Sequence, residues 1–172
     1  KGVIHAAGAL ADGLLLEQDW PRFRQALDAK VLGAWHLHRL LRDQPVDFCV
    51  FFSSAAALFG NPGQSNYAAA NAFLDALAHT RHAAGAAAVS IDWGPWEGAG
   101  LAASGAAHVQ LTRQGLQPLP PDQALPLCLR LLYSPAPHVA ALICDWQRLV
   151  DEEASLSSVL SLLAAPTTDP AA

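Results

Sequence analysis

The chain has 172 residues, 52% of them apolar, with five Trp and a formal net charge of −5. That length and apolar content suit one domain with a packed core and exclude intrinsic disorder. The mild acidity without any Lys/Arg cluster argues against a nucleic-acid surface, no apolar run reaches the ~18 residues of a membrane span, and no signal peptide opens the chain.

The first residues, Lys1-Gly-Val-Ile-His-Ala-Ala-Gly8, read as a strand already in progress, and the chain contains no Met. It therefore reads as a piece of a longer polypeptide. Val3 to Ala7 is a short apolar run whose small residues suit a buried parallel strand approaching a ligand. Leu10 to Leu16 is a loop carrying Asp12. Asp19 is a plausible N-cap, with Pro21 in the first turn of a helix roughly 22 residues long. Trp20, Phe23, Leu27, Val31, Ala34, His38 and Leu41 recur at helical spacing and form its apolar stripe. Lys30 falls at the edge of that stripe. Asp43 to Pro45 ends the helix.

Val46 to Phe52 predicts a second, central strand, followed by a Ser/Gly/Pro loop. A helix is expected from about Gln64 to His82, stopped by Gly85. Ala87 to Trp93 predicts a third strand, ended by Gly94-Pro95-Trp96. Gly98 to Gly115 has no sustained period and is either a lid over a site or an ordinary surface loop. Pro121 opens another helix reaching about Leu132, and Val139 to Cys144 predicts a fourth strand. Strands alternating with helices give an α/β fold with a parallel, doubly wound sheet. Residues 1–150 read as one domain, and residues 151–172 as a linker or short helix. Cys49, Cys128 and Cys144 lack Cys-x-x-Cys spacing and read as buried thiols in a reducing, cytoplasmic setting. The seven His show no metal-binding spacing, so no metal site is expected.

One stretch organises the chain: Ser53-Ser54 at the end of an apolar strand, then a Gly/Pro loop, then Tyr67 and Asn71 one helical turn apart. Ligands of open α/β sheets bind at the carboxyl ends of strands, so this is an address for chemistry. A phenol with a pKa near 10 is a poor acid at neutral pH, and a nearby ammonium would lower it. Lys30 is the candidate partner, because Lys1 is the one other lysine. With Ser54 donating to a carbonyl oxygen and Tyr67 delivering a proton to it, hydride could enter the carbonyl carbon. Asn71 could hold the lysine or a water between the two. Each residue alone has a plainer role, as turn serine, wall tyrosine, solvated lysine or surface asparagine. Their joint occurrence carries the catalytic reading.

Five separated blocks then look familiar: His5-Ala-Ala-Gly8, Lys30-Val-Leu-Gly-Ala-Trp35-His-Leu-His38, Phe52-Ser-Ser-Ala-Ala, Gly60-Asn-Pro-Gly-Gln-Ser-Asn-Tyr67-Ala-Ala-Ala-Asn71-Ala-Phe-Leu-Asp75 and Trp93-Gly-Pro-Trp96. Together they closely resemble the ketoreductase domain of modular type I polyketide synthases, in the short-chain dehydrogenase/reductase superfamily. The resemblance covers about residues 2–150. It implies a Rossmann-like sheet and NADPH-dependent reduction of a β-ketoacyl thioester, carried on the phosphopantetheine arm of an acyl carrier protein among neighbouring synthase domains. It assigns Tyr67 as proton donor and Ser54 as its partner serine, thirteen residues earlier. Lys30 and Asn71 complete the tetrad. The lysine precedes the serine, as in the polyketide branch. Ala7, Gly8, Trp93, Gly94 and Pro95, with Lys30 and Tyr67, are expected on the cofactor side.

Stereocontrol is expected from Asp12, Phe59 and Gln64. Leu10-Ala11-Asp12 matches the Leu-Asp-Asp block of B-type domains in two of three positions, and Phe59 stands where the other class has Trp, eight residues before the tyrosine. The chain contains no Gly-x-Gly-x-x-Gly turn to cradle a pyrophosphate. The cofactor-binding N-terminal half, with the 2′-phosphate site, is therefore expected upstream. The piece alone is expected to bind NADPH weakly, to be inactive and to expose an apolar sheet edge. Competing readings are a free-standing short-chain ketone reductase, a silent scaffold domain, or the related reductase of an animal-type fatty acid synthase.

Overall fold

A computed structural model describes residues 1–98, 111–113 and 115–152. Four parallel strands form the main sheet in the order β1-β2-β3-β5: β1 (Gly2–His5), β2 (Phe48–Ser54), β3 (Val89–Trp93) and β5 (His138–Ala141). The α/β fold read from the alternation is present, with helices on both faces. Three elements cover one face: the long helix built from α1 (Trp20–Leu27) and α2 (Gly33–Leu40), and α4 (Ser65–Ala83). On that side Cys49 and Phe51 of β2 pack with Ala34, Leu74, Leu77 and Ala78. On the other face α5 (Pro121–Leu131) brings Ala124 and Cys128 against Val50, Val89, Ile91 and Trp93.

The long helix starts as expected: the Asp19 side chain accepts from the Arg22 N–H at 2.9 Å, and proline lies in the first turn. Its middle departs from α geometry. Asp28–Leu32 forms a π turn between α1 and α2. A π turn carries more residues per turn than the 3.6-residue stripe assumes, and such turns gather at functional sites. It turns Lys30 from the stripe's edge into the interior, where it is 3% exposed. Trp20, at the stripe's other end, remains 66% exposed.

Strand β2 begins and ends two residues later than the apolar run suggested, so Ser53 and Ser54 extend the strand and pair in register with Asp92 and Trp93. The short helix α3 (Ala56–Phe59) follows directly. The expected fourth strand is split. His138–Ala141 joins the sheet beside β3, the chain bends at Leu142, and β6 (Ile143–Cys144) pairs antiparallel with β4 (Leu116–Gln117). Both pieces are apolar enough to read as one run, so periodicity could not separate them. The short helix α6 (Trp146–Glu152) comes next. Most of the loop Gly98–Gly115 and most of the tail 151–172 lie outside the described residues. In the described sheet β1 forms an edge, with Ile4 50% exposed. No described helix is long and apolar enough to cross a membrane.

Candidate active site

The carboxyl ends of β1, β2 and β3 open onto a cleft of about 360 Å³. Four of the predicted residues are gathered there or directly behind it. Lys30, Ser54 and Tyr67 line the cleft, and Asn71 lies one turn below Tyr67 on α4, fully buried. The Lys30 ammonium donates to the Phe52 carbonyl at 2.8 Å and stands 5.3 Å from the centre of the Tyr67 ring. Two different helices thus bring an ammonium and a phenol to the end of one strand. Ser54 Oγ accepts from the Ala56 N–H at 3.2 Å, which fixes the hydroxyl at the strand-to-helix corner. Asn71 Nδ2 donates to the Tyr67 carbonyl at 2.8 Å, whereas Asn71 Oδ1 has no hydrogen-bond partner among the described residues.

The electrostatics differ from the sequence expectation. Burial raises the Tyr67 pKa, the charge of Asp12 pushes the same way, and the Asn71 and Ser54 side chains oppose it. Lys30 is not among the groups that lower it. Its own pKa is lowered to about 8 by burial, with Asp75 pulling it back up. The site thus holds a phenol that keeps its proton at neutral pH beside an amine whose charge is held weakly.

Gly8, Trp93, Gly94 and Pro95 line the cleft as expected. Ala7 does not; it is exposed, and Ala6 and Gly8 on either side of it form the lining. Gly94 packs so closely that an added Cβ would stand 3.0 Å from Leu142 Cβ. Phe59 is turned away and packs on the cluster of Ala55, Leu111 and Leu116. Asp12 is exposed outside the lining, but its carboxylate accepts from Gln64 Nε2 at 3.1 and 3.2 Å. Gln64 Oε1 in turn accepts from Asn61 Nδ2 at 2.8 Å. Asn66 Nδ2 adds a bond to the Ala11 carbonyl at 2.9 Å, and the Gly13 N–H donates to the Gly63 carbonyl at 2.9 Å. Gly63 has φ +82°, which favours glycine in this tight loop. The segment after β1 is thereby tied to the loop before Tyr67.

Sequence reasoning placed Trp93 but missed the rest of the aromatic wall, Phe52 and Trp96. Phe52 and Trp93 ring centres are 5.4 Å apart, and Trp93 and Trp96 5.1 Å. It also missed a buried cluster behind the cleft, in which Asp75, Asp92 and His138 bring ligand-type atoms within 4.8 Å of one another. His138 Nε2 and Asp92 Oδ2 are 2.6 Å apart, so a hydrogen bond already joins two of the three. The available signal was the alternation Ser90-Ile-Asp92-Trp, which puts two polar residues on one face of a buried strand.

A sequence model of the KR domain family matches residues 1–98. The chain is 42% identical over 161 residues to the polyketide synthase GfsB of Streptomyces halstedii, covering 94% of the chain and 3% of that protein. It is 41% identical over 171 residues to the mycoketide-CoA synthase of Mycobacterium tuberculosis, covering 98% and 4%. Among solved structures, the first ketoreductase of the tylosin polyketide synthase superposes with a TM-score of 0.85 at 37% identity, over 95% of this chain and 38% of that one. A structure of A-type ketoreductases from a modular polyketide synthase gives 0.83 at 37% identity, over 88% and 32%. The chain therefore spans a few per cent of the synthases and about a third of the ketoreductase chains it matches. By sequence match, by fold and by the residues brought to its cleft, it belongs to the KR domain family, the ketoreductases of modular polyketide synthases within the short-chain dehydrogenase/reductase superfamily.

Proposed function

We propose that this chain is the catalytic portion of a ketoreductase that reduces a β-ketoacyl thioester, carried on an acyl carrier protein, to the β-hydroxyacyl thioester with NADPH. The observation that carries the reading is the approach of Lys30 and Tyr67 from separate helices to the end of β2, beside Ser54. The cleft suits a flat nicotinamide ring: Ala6 and Gly8 leave room on one side, and Trp93, Gly94 and Pro95 wall the other. NADPH, when bound, supplies the hydride to the carbonyl carbon. Ser54 donates a hydrogen bond to the ketone oxygen, Tyr67 gives that oxygen its phenolic proton, and the product is the alcohol. The raised Tyr67 pKa suits this direction, because the phenol must start loaded. The ammonium of Lys30 offsets the phenolate left behind. Pyrophosphate and 2′-phosphate contacts are assigned to another part of the domain, and the three free thiols suit a cytoplasmic enzyme.

B-type stereochemistry is part of the proposal. Its support is the Asp12–Gln64–Asn61 chain beside the cleft, with Phe59 turned away from it. The test is reduction by the complete domain of an acyl-carrier-bound β-ketoacyl substrate against a simple cyclic ketone, followed by chiral analysis. Preference for the carrier-bound substrate with the B-type hydroxyl is expected. Equal turnover of the cyclic ketone would favour a free-standing reductase, and the opposite configuration would remove the stereochemical assignment.

A further inference from the structure

Ser90 and Asp92 alternate along β3, so both side chains leave the same face of the strand. His138 opens β5 in register with Ser90, which puts its ring on that face as well. Helix α4 covers the face and brings Asp75 to it, where Oδ1 accepts from Ser90 Oγ at 2.6 Å. His138 Nε2 stands between the two carboxylates, 2.6 Å from Asp92 Oδ2 and 3.8 Å from Asp75 Oδ1. Asp92 is 0% exposed and Asp75 8%, while His138 reaches the surface with 24% of its side chain exposed.

Two observations set this cluster apart from an ordinary buried hydrogen bond. The first is its charge. Even with His138 protonated, two carboxylates leave a negative charge over, and among the described residues neither forms an ion pair with a Lys or Arg. Buried charge without a partner is costly. The second is an orphan atom. Asp92 Oδ1 is buried and has no hydrogen-bond partner among the described residues, because the neighbouring Ser53 hydroxyl donates to the Asn71 carbonyl instead, at 3.3 Å. A divalent cation answers both, since it balances two carboxylates beside a neutral imidazole and takes up free carboxylate lone pairs.

We propose that Asp75, Asp92 and His138 bind a divalent transition metal, with zinc the best-fitting ion, and that the ion clips α4 to β3 and β5 behind the cleft. An imidazole nitrogen with carboxylate oxygens is a donor set that zinc accepts, whereas Ca2+ and Mg2+ favour shells made of oxygen alone. A tetrahedral zinc with bonds of about 2.0–2.1 Å sets neighbouring ligand atoms roughly 3.3 Å apart. The 2.6 Å pair therefore has to open slightly and the 3.8 Å pair to close slightly, which a turn of the His138 ring achieves as Nε2 gives up its hydrogen. Ser90 supplies the outer hydrogen bond that orients Asp75. His79 lies one turn beyond Asp75 on the same face of α4, exposed, with its ring centre 5.9 Å from that of His138. It marks the solvent side by which the ion enters and where a fourth ligand or a water completes the shell. The histidines alone carry no metal spacing because two of the three ligands are aspartates on other elements. The inference does not depend on the reductase reading.

The test uses the complete ketoreductase domain, stripped of metal by chelation and titrated with ZnCl2 in a calorimeter. One Zn2+ per domain is expected, with Kd at or below about 1 μM, and a rise in Tm of roughly 2–5 °C at a hundredfold excess over Kd. His138→Gln, checked for folding by circular dichroism, is expected to weaken binding at least about 100-fold, and Ser90→Ala about 10-fold. Asp92→Asn keeps the side chain's shape and decides the question where His138→Gln does not fold. Co2+ in place of zinc should give the visible absorption of a four-coordinate ion in the parent and lose it in the variants. No zinc binding by the parent, or equal binding by the folded variants, would overturn the site. Equal affinity for Mg2+ or Ca2+ would overturn the zinc assignment.

Discussion

The two faces of β2 and β3 differ in kind. Toward α5, Val50, Phe52, Val89, Ile91 and Trp93 form an unbroken apolar layer that continues into the aromatic wall of the cleft. Toward α4, the strands carry Cys49 and Phe51 and then turn polar at the rim, with Ser53, Ser90 and Asp92 opposite Asn71 and Asp75. Strand alternation produces this division at no cost in backbone geometry. One face fixes where the strand ends stand. The other concentrates buried polar groups, each of which lowers stability unless it is paired. The proposed chemistry lies where the two faces meet.

That contrast can be broken from either side. The largest expected effect is on the apolar face: Trp93→Ala removes a 5% exposed side chain touching Phe52 and Trp96 and should lower unfolding free energy by about 3–5 kcal/mol in urea titrations. Lys30→Met on the polar face should act in the opposite sense. It removes a buried ammonium whose pKa is lowered to about 8, so the fold should gain about 1–3 kcal/mol at pH 7 while reductase activity is lost. The sign follows from linkage. The native state releases the Lys30 proton near 8 and the unfolded state near 10.5, so wild-type stability recovers as pH rises between those values, and Lys30→Met should not show that rise.

A subtler effect concerns Asp92, whose pKa burial raises to about 6, with Asp75 pushing the same way and the Ser53 hydroxyl and His138 opposing. Between about 3.8 and 6 the folded state holds a proton the unfolded state has lost, so this group's contribution to stability falls as pH rises through that window. Asp92→Asn should flatten the slope, which denaturation at a series of pH values measures. The smallest effect belongs outside both faces: Arg24→Ala breaks an exposed pair with Asp28 at 3.2 Å and should cost less than about 0.5 kcal/mol.

Most of the architecture was legible because parallel strands and amphipathic helices leave strong periodic signals. The Asp19 cap, the apolar β2 and the Ala/Leu-rich α4 all read directly from the residues. What escaped has local physical causes. The π turn at Asp28–Leu32 leaves no periodic trace of its own, so Lys30 was placed at a stripe edge instead of inside. The bend at Leu142 lies between two apolar pieces that look continuous. In the site, Ser54, Tyr67 and Asn71 were singled out from one strand-loop-helix pattern, and Lys30 as the one lysine besides Lys1. Ala7 and Ala6 were confused because the chain leaves strand geometry after His5, and alternation stops being a guide there. The sign of the Tyr67 shift was missed because burial, which sequence cannot measure, outweighs the neighbouring polar groups.

The account rests on Tyr67 supplying a proton to a ketone oxygen at this rim. Single-turnover reduction of a carrier-bound β-ketoacyl thioester by the complete domain, with NADPH oxidation followed in wild type and Tyr67→Phe, tests it most directly. The account predicts a fall of about 10²–10⁴-fold in the chemical step with the fold intact. A Tyr67→Phe domain that turns over at the wild-type rate would contradict it.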